Sequence, residues 1–297
     1  MKIERVNFAG WKDCIQLTCQ KLTLIVTTEV GPRIIGCSME GKENLFYLNP
    51  QQAGSRGGDE WKIYGGHRLW CAPEVKEFTY FPDNLPVKVN ETAPGVQFTA
   101  PMEKSGVVKT LILSPLEGRN GFKIQHSIAN LGNQELLLAP WALTVMRSGG
   151  VAVIPHNLNR PMQLLPTHTF SLWSYTDPGD PRWHWGKRFL LLQQDQSKET
   201  PQKIGLQNPY GWAGYAVDQQ FFLKRFGWDA SQTYPDFNAN FETYTNAEIL
   251  ELESLAPLQE LLPGQTTTHE EIWEVFEGIP LPRSDEDVED TILPLIR

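Results

Sequence analysis

The sequence predicts an all-β protein of one domain, on three observations. Apolar and polar residues alternate over short runs, turn residues punctuate those runs, and no stretch sustains helical periodicity with caps at both ends. Gly 24, Pro 22 and an aromatic fraction of 11% suit short strands joined by turns. A chain of 297 residues, 40% of them hydrophobic, has ample material for a core, and all-β architectures reach this length as a single unit. One domain over 1–297 is therefore expected, with an acidic tail from about 278.

The elements follow in order. Leu22, Leu24 and Val26 alternate with Thr23, Ile25 and Thr27 until Gly31-Pro32 breaks the run, and Ile34-Ile35 and Leu45–Tyr47 read as the next short strands. Residues 49–60, with Gly54, Gly57 and Gly58, form a polar loop. From Val87 to Val153 the pattern is a β-meander, with strands around Val96–Phe98, Val107–Leu113, Phe122–Ile128 and Leu136–Met146 separated by turn signals. Residues 155–188 are rich in proline and tryptophan and read as a packed surface loop near a site. Strands resume at Phe189–Leu192, Tyr215–Phe226, Ile249–Leu255 and Thr268–Phe276, and Ser284–Asp290 reads as a solvated turn or short helix.

Bulk properties narrow the partners. The net charge is −9 and no Lys/Arg-rich run exists, so the basic face that replaces phosphate counterions is missing and no nucleic acid is expected. No apolar run approaches a membrane span, and the first thirteen residues lack the apolar core of a signal peptide. Neither a membrane nor secretion is expected, and a cytoplasmic location is. Cys14, Cys19, Cys37 and Cys71 form no CxxC pair and read as free thiols of a reducing compartment. His126, His156, His168, His184 and His269 show no metal-ligand spacing, and phosphate-loop, GxSxG and dinucleotide fingerprints are absent. No metal or cofactor is expected, and the chain should be a monomer or weak homodimer.

Three segments can carry chemistry. Gly65-Gly66 precede His67, Arg68, Leu69, Trp70 and Ala72-Pro73-Glu74, which offer a titratable group, a fork of donors, an apolar plate and an acceptor. That mixture suits a sugar, whose hydroxyls need polar partners while its C–H faces stack on rings. An Arg68–Glu74 ion pair with Trp70 in the core is the structural alternative. The second segment runs from Tyr234-Pro235-Asp236-Phe237 through Glu242 to Glu253. A strand here would set Ile249, Glu251, Glu253 and Leu255 on one face, the two carboxylates about 7 Å apart. Periodicity alone favours two solvated acids. In the third, Lys224 shares a face with Phe222 and Phe226, opposite Arg225, and either meets a carboxylate or reaches water.

The run Asn246–Pro257 (Asn-Ala-Glu-Ile-Leu-Glu-Leu-Glu-Ser-Leu-Ala-Pro), then Leu262–Gln265 and His269–Trp273, resembles the end of galactose mutarotase-like (aldose 1-epimerase-like) proteins. Val30–Ile35 is similar to the early strand and turn of that superfamily, and the likeness spans about residues 20 to 277. The resemblance implies a β-supersandwich, two large, mainly antiparallel sheets with a concave ligand cleft, and a small-molecule carbohydrate as partner. It also implies that Glu253 is the general base on the anomeric hydroxyl. In the family a histidine protonates the ring oxygen; here Trp141 stands at that place, and an indole cannot donate that proton. His67 is then the candidate acid, with Arg68, Trp70, Glu74, Trp141, Lys224 and Glu251 holding substrate. Three activities stay open: an aldose 1-epimerase-like isomerase, a non-catalytic carbohydrate-binding protein, and an oligosaccharide lyase or hydrolase. The geometry of His67 relative to Glu253 decides the site.

Overall fold

The computed structural model describes residues 1–156, 158, 162 and 164–296, and they form two large antiparallel sheets. Sheet I runs, edge to edge, Lys2–Phe8, Trp11–Cys19, Leu22–Val26, Ile34–Met39, Gly66–Ala72, Leu136–Met146, Leu250–Leu255, Phe241–Thr245, Gln202–Leu206 and Phe170–Leu172, with Gln259–Leu261 paired to the start of Leu136–Met146. Sheet II runs Trp183–Trp185, Phe189–Gln193, Val151–Pro155, Trp212–Val217, Gln220–Phe226, Thr266–Glu277, Gly121–Asn130, Val107–Pro115, Gly95–Thr99 and Lys88–Thr92.

Alternation decides which side chains enter the space between the sheets. Leu17, Leu24 and Leu252 of sheet I meet Ile124, Phe222 and Trp273 of sheet II in one continuous apolar cluster. Phe46 closes it edge-on, its ring centroid 5.7 Å from both Phe222 and Trp273.

The expected meander holds for Lys88–Thr92, Gly95–Thr99, Val107–Pro115 and Gly121–Asn130, which pair in sequence within sheet II. Leu136–Met146 instead crosses to the centre of sheet I, between Gly66–Ala72 and Leu250–Leu255. Its sequence explains why, since nine consecutive residues from Leu138 are buried and neither face suits an exposed position. The 155–188 segment carries the short strands Phe170–Leu172 and Trp183–Trp185, and residues 157, 159–161 and 163 of that expected loop lie outside the described residues. The acidic tail forms the helix Asp285–Thr291, capped by the Ser284 side chain, which accepts from Asp287 N at 3.3 Å. Val288, Ile292 and Ile296 pack it against Val151, Val153 and Leu223 of sheet II. All four cysteines are buried and free, and no helix among the described residues is long and apolar enough to cross a membrane.

The paired glycines serve the backbone. Gly65 and Gly66 adopt φ of +101° and +69°, and a Cβ on Gly66 would lie 2.3 Å from the Ile34 carbonyl oxygen. Their role is to bring His67–Trp70 into register beside Leu136–Met146. Gly66→Ala is expected to cost about 1–3 kcal/mol, read as a lower denaturant midpoint at unchanged slope.

Candidate functional site

Register sorts the candidate residues onto two faces of sheet I. Arg68 pairs with Leu143, Leu143 with Glu253, and Glu253 with Glu242, so these four side chains share the face turned away from sheet II. Glu251, Tyr244 and Lys203 form the next row on that face, and Trp70, Trp141 and Leu255 the row on the other side. His67 pairs with Thr144 and Thr144 with Leu252, which puts all three on the opposite, inter-sheet face.

His67 therefore does not meet Glu253, and the pairing of His67 as acid with Glu253 as base fails on geometry. His67 and Arg68 are adjacent, and a strand turns adjacent residues to opposite faces. Lys224 departs from expectation because its strand belongs to sheet II, which cannot reach the outer face of sheet I. It points between the sheets from Gln220–Phe226, where its Nζ lies 2.8 Å from Glu271 Oε1 and donates to the Ala142 and Leu252 carbonyls at 3.2 and 3.0 Å.

These two residues belong instead to a buried polar network. A carbonyl only accepts, so His126 Nδ1 donates to His269 O at 3.1 Å and His126 Nε2 keeps the lone pair. His67 Nε2, 2.8 Å away, must then donate, and Thr144 Oγ1 donates to His67 Nδ1 at 2.9 Å. Ser254 Oγ donates to Glu271 and accepts from His269 Nε2 at 2.6 Å, while Trp273 Nε1 donates to Glu271 Oε2 at 2.8 Å. Burial pushes His67, His126 and His269 below the ordinary histidine value, His269 to about 3. One His67, one His126 and one Glu271 ligand atom lie within 4.8 Å of one another, the donor types of a metal site. The proton between the two histidines and the Lys224 ammonium beside Glu271 occupy those donors, and the set fits a hydrogen-bonded structural network.

The Glu253 face holds a different arrangement. Glu253 has no exposed surface, and its Oε2 accepts from Lys203 Nζ and Trp141 Nε1, both at 3.0 Å. Trp141 thus touches the glutamate, and its indole supplies no acid. Lys203 Nζ also lies 2.8 Å from Glu242 Oε2 and sits over the rings of Trp141 and Trp173, at 4.8 and 4.6 Å. Burial works against the Lys203 charge, but Glu253 and Glu242 outweigh it and hold its pKa well above the usual lysine value. Burial lifts the Glu242 carboxyl well above the carboxylate range, against the Lys203 charge. Glu251 is pushed up to about 7, by burial and then by the Glu253 charge, against Arg68 and Lys203.

Arg68 packs against two rings, its guanidinium carbon 4.0 Å from the Trp70 ring centroid and 4.8 Å from that of Trp61. It makes no ion pair with Glu74, which is exposed and accepts from the Tyr80 hydroxyl. Tyr80 closes the aromatic wall against Trp61 and Trp70 at 5.3 and 5.1 Å. An open cleft of about 650 Å³ runs along this wall, lined by Asp59, Glu60, Trp61, Glu74, Lys76 and Tyr80. A more enclosed cavity behind Trp70, lined by Leu69, Phe81 and Met102, measures about 50 Å³ and has no contact with Glu253.

Of the expected site residues, the structure brings together Glu253, Glu251, Arg68, Trp70, Trp141 and, at the rim, Glu74. It separates His67 and Lys224 from them. Sequence reasoning missed Lys203, Glu242 and the wall formed by Trp61, Tyr80 and Trp173. Glu242 had a signal, since Phe241–Thr245 alternates and faces Glu253 across one ladder. Lys203 had none beyond a single cation in a short apolar strand.

With this geometry in hand, comparison with solved structures gives consistent neighbours. A galactose mutarotase-like protein from Lactobacillus casei superposes with a TM-score of 0.59 at 9% identity, covering 89% of this chain and 100% of its own. The chain has the galactose mutarotase-like fold. A galactose mutarotase related enzyme from Lactobacillus acidophilus gives 0.54 at 10% identity, covering 92% of this chain and 98% of its own. A galactose mutarotase-like protein from Clostridium acetobutylicum gives 0.52 at 10% identity, with 93% and 98% covered. No protein-family model and no curated protein matches the chain. At these identities the likeness carries the mutarotase-like fold, and activity has to be argued from the residues.

Proposed function

We propose that this mutarotase-like chain binds a sugar on the outer face of sheet I and interconverts its anomers by general acid/base catalysis, with Glu253 as base and Glu251 as acid. One observation carries the reading. Four buried polar atoms of the same cluster, Trp61 Nε1, Arg68 Nε, Glu242 Oε1 and Glu253 Oε1, have no hydrogen-bond partner among the described residues. Each such atom costs about 1–3 kcal/mol unless something polar meets it. Two donors and two acceptors beside a wall of tryptophans match a ligand that presents hydroxyls at its edges and C–H groups on its faces.

The chemistry assigns the remaining roles. Lys203 and Trp141 hold Glu253 by Oε2 and leave Oε1 to take the proton of the anomeric hydroxyl. Glu251, two residues along the strand and on the same face, gives its proton to the ring oxygen. The bond between that oxygen and the anomeric carbon breaks as the anomeric C=O forms. Rotation and the reverse transfers close the ring as the other anomer, returning both protons. Because Glu253 has no exposed surface, ring entry requires side chains on this face of sheet I to move outward.

Exchange NMR on a panel of aldoses and uronates tests the reading, with anomer exchange above the spontaneous rate as the expected result. An acid with a pKa of about 7 is protonated below that value, so activity should fall as pH rises through about 7. Glu251→Gln should remove that limb of the profile together with most of the rate. A wild-type rate equal to the spontaneous one across the panel would refute the catalytic assignment.

A further inference from the structure

The described residues contain three buried arginines, and they make a comparison within one molecule. Arg33 grips Asp83 with the Nε and Nη2 edge of its guanidinium, 2.8 Å at each contact. Arg182 grips Asp180 with the same edge, 2.9 Å at each. Arg68 is 2% exposed, as buried as the other two, and makes one hydrogen bond among the described residues, Nη1 to the Ile63 carbonyl at 3.3 Å. Its Nε is buried without a partner. Trp61 and Trp70 pack beside the guanidinium and Nη1 is taken by the Ile63 carbonyl, which leaves the Nε/Nη2 edge for a ligand. That edge is the one that receives a carboxylate bidentately.

We infer that the Nε/Nη2 edge of Arg68 binds a carboxylate on the sugar, which makes the substrate a sugar acid of the hexuronate class. The inference rests on the sugar-site reading above and deepens it. Arg68, Leu143 and Glu253 lie in one row across three neighbouring strands, about 10 Å from first to last Cα. A single pyranose ring bridges such a gap, its C5 carboxylate on Arg68 and its anomeric carbon at Glu253. Leu143, with no polar group, lies beneath the ring.

The charges nearby select a monoanion. Lys203 already sits on Glu253 and Glu242, so among the described residues Arg68 is the one cation of the cluster without a carboxylate ion pair. Glu251 and Glu74 are close enough to act on each other electrostatically and add negative potential. A phosphate ester, at about −1.5 to −2 near neutral pH, asks for more positive charge than one guanidinium in that setting. A carboxylate asks for one. It would also favour the protonated form of Glu251, the form that donates.

The test is a binding comparison on the intact wild-type chain that needs no variant. Galacturonate and glucuronate are titrated beside their neutral amides, the parent hexoses and the hexose 6-phosphates. Each acid should bind about 10- to 100-fold more tightly than its amide, the range for a charge-assisted pair over a neutral one. In Arg68→Gln, checked for native circular dichroism, acid and amide should come within about threefold of each other. Equal binding of acid and amide by wild type would overturn the inference, as would tighter binding of the hexose 6-phosphate. Selective binding of the acids without anomer exchange would sustain it and remove the catalytic proposal. Exchange on neutral hexoses without preference for the acids would do the reverse.

Discussion

Glu253→Gln should lower anomer exchange by about 10²- to 10⁴-fold, the usual contribution of a positioned base, while leaving sugar binding within a few-fold of wild type. The substitution is isosteric, and its carbonyl oxygen can keep the place of Oε2 beside Lys203 Nζ and Trp141 Nε1. The amide nitrogen then stands where Oε1 stood, and it has no lone pair for the anomeric proton. Loss of a buried negative charge beside Lys203 would ordinarily threaten the fold. Here Glu242 Oε2 is 2.8 Å from the same ammonium, so a second carboxyl remains to balance Lys203. The variant should therefore fold, bind and fail at chemistry. Exchange rates for wild type and variant that agree on every sugar the protein binds would end the assignment of Glu253 as base. A parallel loss of binding and rate would instead make it a substrate anchor.

The fold was legible because alternation is a local signal. Glu251 and Glu253 share a face of Leu250–Leu255 as their spacing requires, and Lys224 lies opposite Arg225. Burial was not legible in the same way. Periodicity favoured two solvated acids at Glu251 and Glu253, whereas Glu253 has no exposure and Glu251 only 9%. At Glu253 the cover includes Lys203 and Trp141, which come from strands far away in sequence. His67 shows the opposite case. Its neighbours Arg68 and Trp70 do line the site, but a strand turns adjacent residues to opposite faces. The sequence position was right and the face was wrong. Face could have been assigned from the register with Leu136–Met146, and register depends on a non-local pairing that the crossover between sheets concealed.

The same non-local pairing assembled the buried network, and its largest expected effect is on stability. Lys224→Met should destabilise the protein by about 3–5 kcal/mol, because it leaves the Glu271 carboxylate in the core without its cation. In the wild type, burial pushes the Glu271 carboxyl up, yet Lys224 and the three histidines outweigh it and hold the group well below the carboxylate range. Removing Lys224 lets burial dominate, so the folded-state pKa should rise above the unfolded value near 4.3. Above that value the folded variant must either keep a buried charge or take up a proton, and both cost free energy. As pH falls below it, Glu271 is protonated in both states and the deficit relative to wild type should narrow. In the wild type the histidines add a second slope, which should be shallower in Lys224→Met because Lys224 helps hold their pKa values down. Their folded-state pKa values lie below the unfolded 6.5, so the unfolded chain takes up protons first. The stability they contribute above 6.5 is progressively lost as pH falls toward about 3, the folded-state value of His269. Denaturant melts of wild type and Lys224→Met at a series of pH values would show both slopes. Adding Glu271→Gln to Lys224→Met should recover much of the loss at neutral pH, since the uncompensated charge is then gone. A double variant no more stable than Lys224→Met at pH 7 would mean that shape and packing, not the ion pair, hold the two sheets together at this point.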